Sequence, residues 1–275
     1  MDKYAVFGNP IHHSRSPDIH AAFAEQTVQD LTYEPICAPL DSFAETVKTF
    51  IASGGRGMNV TVPFKEEAWQ LANERSERAE LAGAVNTLTL SASGRLHGDN
   101  TDGIGIVRDI RDNHGFDFAG KRVLVLGAGG AVRGILQILL QEHPSDVVVA
   151  NRTRAKAETL ADLFSAFGTI NACELDNLSG GFDLIINGTA ASLQGELIQL
   201  PEGLVTANTW CYDMMYSADM TPFNLWAKAQ GACCQLDGLG MLVEQAAESF
   251  FIWRGVKPNT QPVIEAIRAE LAKGK

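Results

Sequence analysis

The chain lacks an excess of positive charge. Its 275 residues carry 22 Lys and Arg against 33 Asp and Glu, a formal net charge of −11. There is no basic tail and no long Lys/Arg run, so nucleic acid is not an expected partner. Long apolar runs are missing too: stretches such as Val147–Ala150 fall far short of the roughly 20 residues a membrane-spanning helix needs. The start, MDKYAVFGNP, has no basic segment leading into an apolar one. The expectation is a cytoplasmic protein without signal peptide or membrane partner. Cysteine is sparse and odd in number, at 37, 173, 211, 233 and 234, with no C-x-x-C pair. Cys233 and Cys234 are adjacent and cannot form an ordinary disulfide, so buried thiols in a reducing compartment are expected. The six histidines show no H-E-x-x-H or similar spacing, and no metal is expected. What is present is an ordinary globular composition, 45% hydrophobic and 20% charged.

The two halves read differently. Strands are expected at Lys3–Phe7, Tyr33–Cys37 and Gly57–Val62, with helices starting near Ser16-Pro17 and at Phe43–Ile51. A hairpin follows over Val85–Leu90 and Leu96–Gly98, so parallel βαβ units come first and an antiparallel element after them. Residues 103–237 alternate more regularly. Strands at Arg122–Leu126, Val147–Ala150, Asp183–Asn187 and Trp210–Tyr212 are interleaved with helices at Gly130–Gln141 and Ala155–Phe164. Such alternation means a parallel sheet covered on both faces. Leu239–Trp253 and Gln261–Leu271 read as closing helices with core-facing apolar stripes. The fold class is therefore α/β with two domains. A substrate domain with a mixed sheet takes 1–102 and 238–275, and a Rossmann-like nucleotide domain takes 103–237.

The strand Arg122–Leu126 runs into Gly127-Ala128-Gly129-Gly130-Ala131 and then a helix. A glycine turn between strand and helix lets backbone approach a pyrophosphate, with the first-turn N–H groups facing the anion. The match to G-x-G-x-x-G is incomplete, because the sixth position is Val132. An NAD site usually carries an acid at the end of the second strand, for the ribose 2′-hydroxyl. Here that strand ends Asn151-Arg152-Thr153-Arg154-Ala155-Lys156, with three cations within five residues and no acid. A 2′-phosphate, and hence NADP(H), fits this cluster better than NAD. Cations in a first helical turn would otherwise oppose the helix dipole.

Four polar loops belong to the first half. In Asn9–Pro17, Ser16 followed by Pro17 reads as an N-cap and first helical residue, which leaves Ser14 without a structural task. In Gly57–Glu66, Pro63 reads as a first helical position and Lys65 falls in the first turn, against the dipole. Such a lysine is either simply solvated or held for proton transfer. The loops Gly83–Thr87 and Gly98–Gly103 add Asn86 and Asp102, which have bland readings as a turn residue and a helix cap.

HSRSP, NVTVPFKE, GAVNT, GDNTDG, GAGGA, NRT, YDMMY and DGLGML occur in this order. That series resembles shikimate dehydrogenase, in its NADP-dependent cytoplasmic bacterial form, over most of the chain. The resemblance implies two α/β domains with the active site in the cleft between them, and reversible NADPH-dependent reduction of 3-dehydroshikimate to shikimate in chorismate and aromatic amino acid biosynthesis. It implies that Ser14 and Ser16 bind the substrate carboxylate and that Thr61, Asn86 and Gln245 hold ring hydroxyls. Lys65 and Asp102 would form the catalytic pair and also touch substrate, with Tyr216 beside it. Gly127, Ala128, Gly129, Gly130 and Ala131 would cradle the pyrophosphate. Asn151, Arg152, Thr153 and Lys156 would hold the adenosine end, and Met214 and Gly238 would line the nicotinamide pocket. Two departures stand out: Ala190 where the family commonly has serine, and Lys156 where close relatives often have arginine. The family includes monomers and dimers, so either state is open. Two other readings are a quinate/shikimate dehydrogenase that also uses NAD and a non-catalytic nucleotide-binding homologue. An acid near Asn151 would favour the first, and loss of Lys65 or Asp102 the second; the sequence has neither.

Overall fold

The computed structural model describes residues 1–189, 191 and 198–273. They form two compact units, Met1–Gly105 with Val243–Val263, and Ile106–Leu242 with Ile264–Lys275.

The first unit contains β1 (Asp2–Gly8), α1 (Ser16–Gln26), β2 (Leu31–Cys37), α2 (Phe43–Ala52), β3 (Gly55–Val60), α3 (Lys65–Leu71), β4 (Glu74–Arg75), α4 (Glu77–Ala82), β5 (Thr87–Leu90) and β6 (Leu96–Asp99), and α5 (Asp102–Arg108) starts within it. The sheet order is β2-β1-β3-β5-β6-β4. β1 lies parallel to β2 and β3, while β5 runs antiparallel to β3 and β6. Phe7, Met58 and Val60 project from these strands into a core closed by Phe43, Val47, Phe50 and Phe64. Each such side chain contributes about 1.5–3 kcal/mol through burial.

The local differences from the sequence reading have hydrogen-bond causes. β3 ends at Val60 rather than Val62, and Val62 is 67% exposed at the turn that follows. Pro63 and Phe64 belong to that turn, where Phe64 N donates to Thr61 O at 3.0 Å, so α3 starts at Lys65. β5 starts at Thr87 because Val85 N donates to Lys65 O, 2.9 Å, instead of to a strand. Ser16 is the first residue of α1 and not its cap; Ser14 Oγ accepts from Ser16 N at 3.3 Å.

The second unit contains β7 (Arg122–Leu126), α6 (Gly130–Gln141), β8 (Asp146–Ala150), α7 (Arg154–Phe164), β9 (Ile170–Cys173), β10 (Leu184–Asn187), β11 (Trp210–Asp213), α8 (Pro222–Ala229) and β12 (Cys234–Asp237). Its sheet, in the order β12-β11-β10-β7-β8-β9, is parallel throughout. Val123–Leu126 is buried on both faces, as helices on both sides require. The long helices α9 (Leu239–Arg254) and α10 (Gln261–Lys273) follow. The chain passes between units within α5, α9 and α10; Ile264–Lys275 groups with the second unit, where Arg268 pairs with Asp237. No helix among the described residues is long and apolar enough to cross a membrane. All five cysteines are free thiols. Cys211 is buried, and burial pushes its thiol up to about 12, whereas Cys37 and Cys233 are exposed, contrary to the expectation of buried thiols.

In the first unit His20 is 1% exposed, stacked on Tyr33 with ring centroids 4.1 Å apart and packed beside Phe23, Phe250 and Trp253. Burial pushes its imidazole down to about 3, despite the opposing influence of Asn59. In the unfolded chain the ring takes up a proton near about 6.5. Between these values the unfolded state binds more protons, so stability is fully present above about 6.5 and falls as the pH drops through that window, by up to about 1.4 kcal/mol per unit. Urea unfolding from pH 7 to pH 4 should show that loss, and His20→Phe should flatten it. An unchanged slope in the variant would assign the acid sensitivity elsewhere.

Candidate active site

A buried polar network lies in the first unit where β3, β5 and the loop after β6 meet. Arg78 on α4 grips Asp99 with its fork, Nε to Oδ1 at 2.6 Å and Nη2 to Oδ2 at 2.8 Å. Burial opposes the charge of Asp99, but Arg78 and Ser76 hold its carboxyl below the usual carboxylate range. Asp99 in turn accepts from Asn100 N at 2.7 Å, and Asn100 Oδ1 accepts from Asp102 N at 3.1 Å. The loop is thus fixed before it enters α5, and Asp102 begins that helix with its side chain turned into the network.

Asn86 supports Asp102 from β5's approach. Its Nδ2 donates to Asp102 Oδ1 at 2.8 Å and to Thr101 Oγ1 at 2.9 Å, while its Oδ1 accepts from Thr101 N at 3.0 Å. Gln245 Oε1 closes on the same cluster, 3.4 Å from Asn86 Nδ2 and 3.3 Å from Thr101 Oγ1. Lys65, at the start of α3, donates from Nζ to Asp102 Oδ2 at 2.7 Å. The pair is not sealed: the lysine side chain is 29% exposed and the aspartate 10%. One ammonium proton is committed to the carboxylate, and the others remain for a ligand.

Of the residues expected to contact substrate, Lys65, Asn86, Asp102 and Gln245 are therefore joined by direct hydrogen bonds. Thr61 lies on the turn between β3 and α3, with its amide on Phe7 O at 2.9 Å. Ser14 and Ser16 sit at the start of α1, linked through the Ser16 amide. Ser14 Oγ is the acceptor there, so its own proton is left for another acceptor. Tyr216 is half-buried and belongs to the second unit.

Asn59, Thr87, Thr101 and Ser249 were not singled out from the sequence. Asn59 Nδ2 donates to Ser249 Oγ at 3.0 Å, and Ser249 Oγ lies 2.7 Å from Thr87 Oγ1. Thr87 Oγ1 donates to Asn86 Oδ1 at 2.8 Å. For Asn59 and Thr87 the signal was a polar side chain at a strand position otherwise filled by core residues; Thr101 sits in the loop before α5 and Ser249 on α9.

In the second unit the glycine turn lies between β7 and α6. Gly127 has φ +103° and packs against Gly188; a Cβ there would sit 3.1 Å from Thr189 Cγ2. Asn187 braces that neighbour, accepting from Thr189 Oγ1 at 2.8 Å and donating to Asp213 Oδ1 at 3.1 Å. Gly129 occupies the cap position of α6, with no side-chain cap bond and no acid in the first turn. Open space faces Gly129 and Gly130, and Ala128 and Ala131 complete the turn. First-turn N–H groups without a side-chain cap, beside open space, fit a pyrophosphate.

At the end of β8, Asn151 Nδ2 donates to Thr153 O at 2.9 Å and shapes the turn into α7. Arg152, Thr153 and Lys156 are exposed, and no carboxylate among the described residues pairs with Arg152 or Lys156. Arg154 differs: its Nε is 2.7 Å from Glu158 Oε1, so two of the three cations remain for a phosphate. Met214 is buried after β11, and a Cβ on Gly238 would fall on the Met214 carbonyl oxygen. Backbone cannot yield there as a side chain would. Gly238→Ala should destabilise the fold by about 1–3 kcal/mol, read as a lower urea midpoint; an unchanged midpoint would mean the β12–α9 corner adapts freely. Ala190 lies outside the described residues.

Family models match most of the chain. The shikimate dehydrogenase substrate binding domain matches residues 6–88, the shikimate / quinate 5-dehydrogenase model 110–198, and the shikimate 5'-dehydrogenase C-terminal domain 238–268. The NADP(+) shikimate dehydrogenase of Alkalilimnicola ehrlichii is 59% identical over 269 residues, covering 98% of this chain and 99% of the relative. That of Hahella chejuensis is 57% identical with the same coverage of both chains. Among solved structures, shikimate 5-dehydrogenase of Thermus thermophilus, in complex with NADP(H) and shikimate, superposes with a TM-score of 0.85 at 33% identity, covering 98% of this chain and 99% of that one. An Ael1 enzyme of Pseudomonas putida gives a TM-score of 0.92 at 45% identity over 97% of this chain and 98% of that one. With the matches spanning both units at this identity, the chain belongs to the shikimate dehydrogenase family.

Proposed function

We propose that this chain reversibly reduces 3-dehydroshikimate to shikimate with NADPH, in the pathway to chorismate and the aromatic amino acids. Near-full-length identity of 59% to an NADP(+) shikimate dehydrogenase supports the reaction. The observation that carries the mechanism is the Lys65–Asp102 contact of 2.7 Å, with Asn86 on the other carboxylate oxygen.

The first unit binds the substrate. Ser14 and Ser16 donate to the carboxylate as neutral groups, which suits a chain of net charge −11 because no buried arginine has to be accommodated. Thr61, Asn86 and Gln245 orient the ring hydroxyls. The second unit holds the cofactor. Gly127 to Ala131 receive the pyrophosphate, and Asn151, Arg152, Thr153 and Lys156 receive the adenosine 2′-phosphate end. Met214 and Gly238 border the nicotinamide.

When bound, NADPH supplies the hydride to the ketone carbon. Lys65 Nζ hydrogen-bonds the ketone oxygen and gives it a proton as negative charge develops there. Asp102 aims the ammonium, and Asn86 keeps Asp102 from turning away. In the oxidising direction Lys65 Nζ takes the hydroxyl proton back. The test is absorbance at the NADPH band with purified protein, shikimate and NADP⁺, beside cuvettes holding NAD⁺ or quinate. Rapid reduction only with shikimate and NADP⁺ is expected. Equal rates with NAD⁺ or quinate would indicate the broader quinate/shikimate activity, and no reduction in any cuvette would indicate a non-catalytic homologue.

A further inference from the structure

Arg78 lies outside the proposed substrate and cofactor sets, on the six-residue helix α4. Its side chain and that of Asp99 are 17% and 10% exposed. Taking such a pair out of water is costly, and a buried ion pair adds little net stability over a well-packed apolar pair. What a planar fork on a carboxylate does supply is fixed geometry.

That geometry is aimed at the site along two arms. Asp99 is the last residue of β6 and Asp102 the first of α5, so only Asn100 and Thr101 separate the gripped carboxylate from the one that holds Lys65. Asn100 N donates to Asp99 Oδ1 at 2.7 Å, and Asp102 N donates to Asn100 Oδ1 at 3.1 Å. The Asp99 carbonyl oxygen accepts from Asn86 N at 3.0 Å. Asp99 thereby seats both Asp102 and the residue that braces it. Ser76, the cap of α4, donates from Oγ to Asp99 Oδ1 at 2.6 Å, which docks the helix carrying Arg78 on the same carboxylate.

The second arm reaches α9. Arg78 Nη2, which donates to Asp99 Oδ2, also lies 3.4 Å from Glu248 Oε1. Glu248 stands about one helical turn after Gln245 and next to Ser249. Ser249 Oγ donates to Gln245 O at 3.1 Å and accepts from Asn59 Nδ2 at 3.0 Å. One guanidinium thus spans the strand end that leads to Asp102 and the helix that presents Gln245.

We propose that Arg78 is a positioning residue for the reduction of 3-dehydroshikimate, setting Asp102 against Lys65 through Asp99, and Gln245 against the substrate through Glu248. This rests on the dehydrogenase reading and places no atom of Arg78 on substrate or cofactor.

The test combines steady-state kinetics with shikimate and NADP⁺, urea unfolding and amide hydrogen exchange on the native chain and three variants. Arg78→Lys keeps the charge beside Asp99 and loses the fork. Its kcat should fall by about 10- to 100-fold, since a misplacement of about 1 Å can cost 10²-fold. Its KM for shikimate should rise and its KM for NADP⁺ stay at the native value, because none of Arg78's partners belongs to the proposed cofactor set. Exchange at the Asn100 and Asp102 amides should quicken, because both depend on the Asp99 seat. Glu248→Gln releases only the α9 arm, so it should raise the KM for shikimate by about two- to fivefold with kcat retained, as a uniform loss of binding does. Asp99→Asn loosens the same grip from the other side and keeps an acceptor for Asn100 N; it carries the test if Arg78→Lys does not fold, with a loss of kcat expected again. Native kinetic constants in the folded variants, with only the urea midpoint lowered, would make the pair a structural tie and overturn the proposal, as would unchanged exchange at the loop amides. A native chain that does not turn over shikimate would instead overturn the dehydrogenase reading, so the two failures are told apart by the native control.

Discussion

Lys65→Ala should lower kcat for 3-dehydroshikimate reduction by about 10²- to 10⁴-fold, the range for losing a general acid, while KM should rise by less than about tenfold. The asymmetry follows from when the lysine's bond matters. On the proposed mechanism, Nζ would face a neutral ketone oxygen in the ground state, a modest hydrogen bond. In the transition state it faces an oxygen acquiring negative charge, where a charged donor is worth far more. The variant should still fold, because Asp102 keeps Asn86 Nδ2 at 2.8 Å and Lys65 is 29% exposed at the side chain. Its urea midpoint is the control. Asp102→Asn should also lose kcat, since it leaves the ammonium in place but removes the charge that steers it. A variant with raised KM and intact kcat would make Lys65 a binding residue and move the proton donor elsewhere.

The elements that were legible in the sequence had a local cause. β7 and α6 follow from an apolar strand, a glycine turn and a periodic helix, and their bounds agree with the structure residue for residue. α4 was not singled out although its signals are local as well: Ser76 caps it by accepting from Ala79 N, and Gly83 ends it at φ 61°. Six residues give too little periodicity to stand out. β4 is two residues long and exists only because β6 pairs with it, which no local pattern announces. The site divides in the same way. Lys65 and Asp102 open α3 and α5 directly after turns and Asn86 precedes β5, places where a polar residue attracts notice. Asn59 and Thr87 are strand residues whose hydroxyl and amide matter only because Ser249, 190 positions from Asn59, reaches them through the fold. Of the three cations after β8, Arg154 is engaged by Glu158, an i,i+4 pair that is readable on a helix only once α7 is known to begin at Arg154.

Arg152→Ala should raise the KM for NADP⁺ by about 10- to 100-fold and leave the KM for NAD⁺ within about twofold, because a planar guanidinium on a phosphate dianion contributes about 1.5–3 kcal/mol and has nothing to grip on a 2′-hydroxyl. The structure adds three internal comparisons. Arg154→Ala should change neither constant, because its guanidinium is held by Glu158 at 2.7 Å. Lys156→Ala should cost less than Arg152→Ala, since an ammonium acts as a point charge without a fork. Arg152→Lys should fall between, keeping the sign of the charge and losing the geometry. The same contact is exposed, so added salt should shrink the NADP⁺ advantage of the native chain more than that of Arg152→Ala. Steady-state kinetics with both cofactors at two ionic strengths reads all of these together. A native cofactor ratio in Arg152→Ala would make the pair after β8 a solvated helix start, and the source of NADP preference would then have to lie among residues that hold the cofactor from another side.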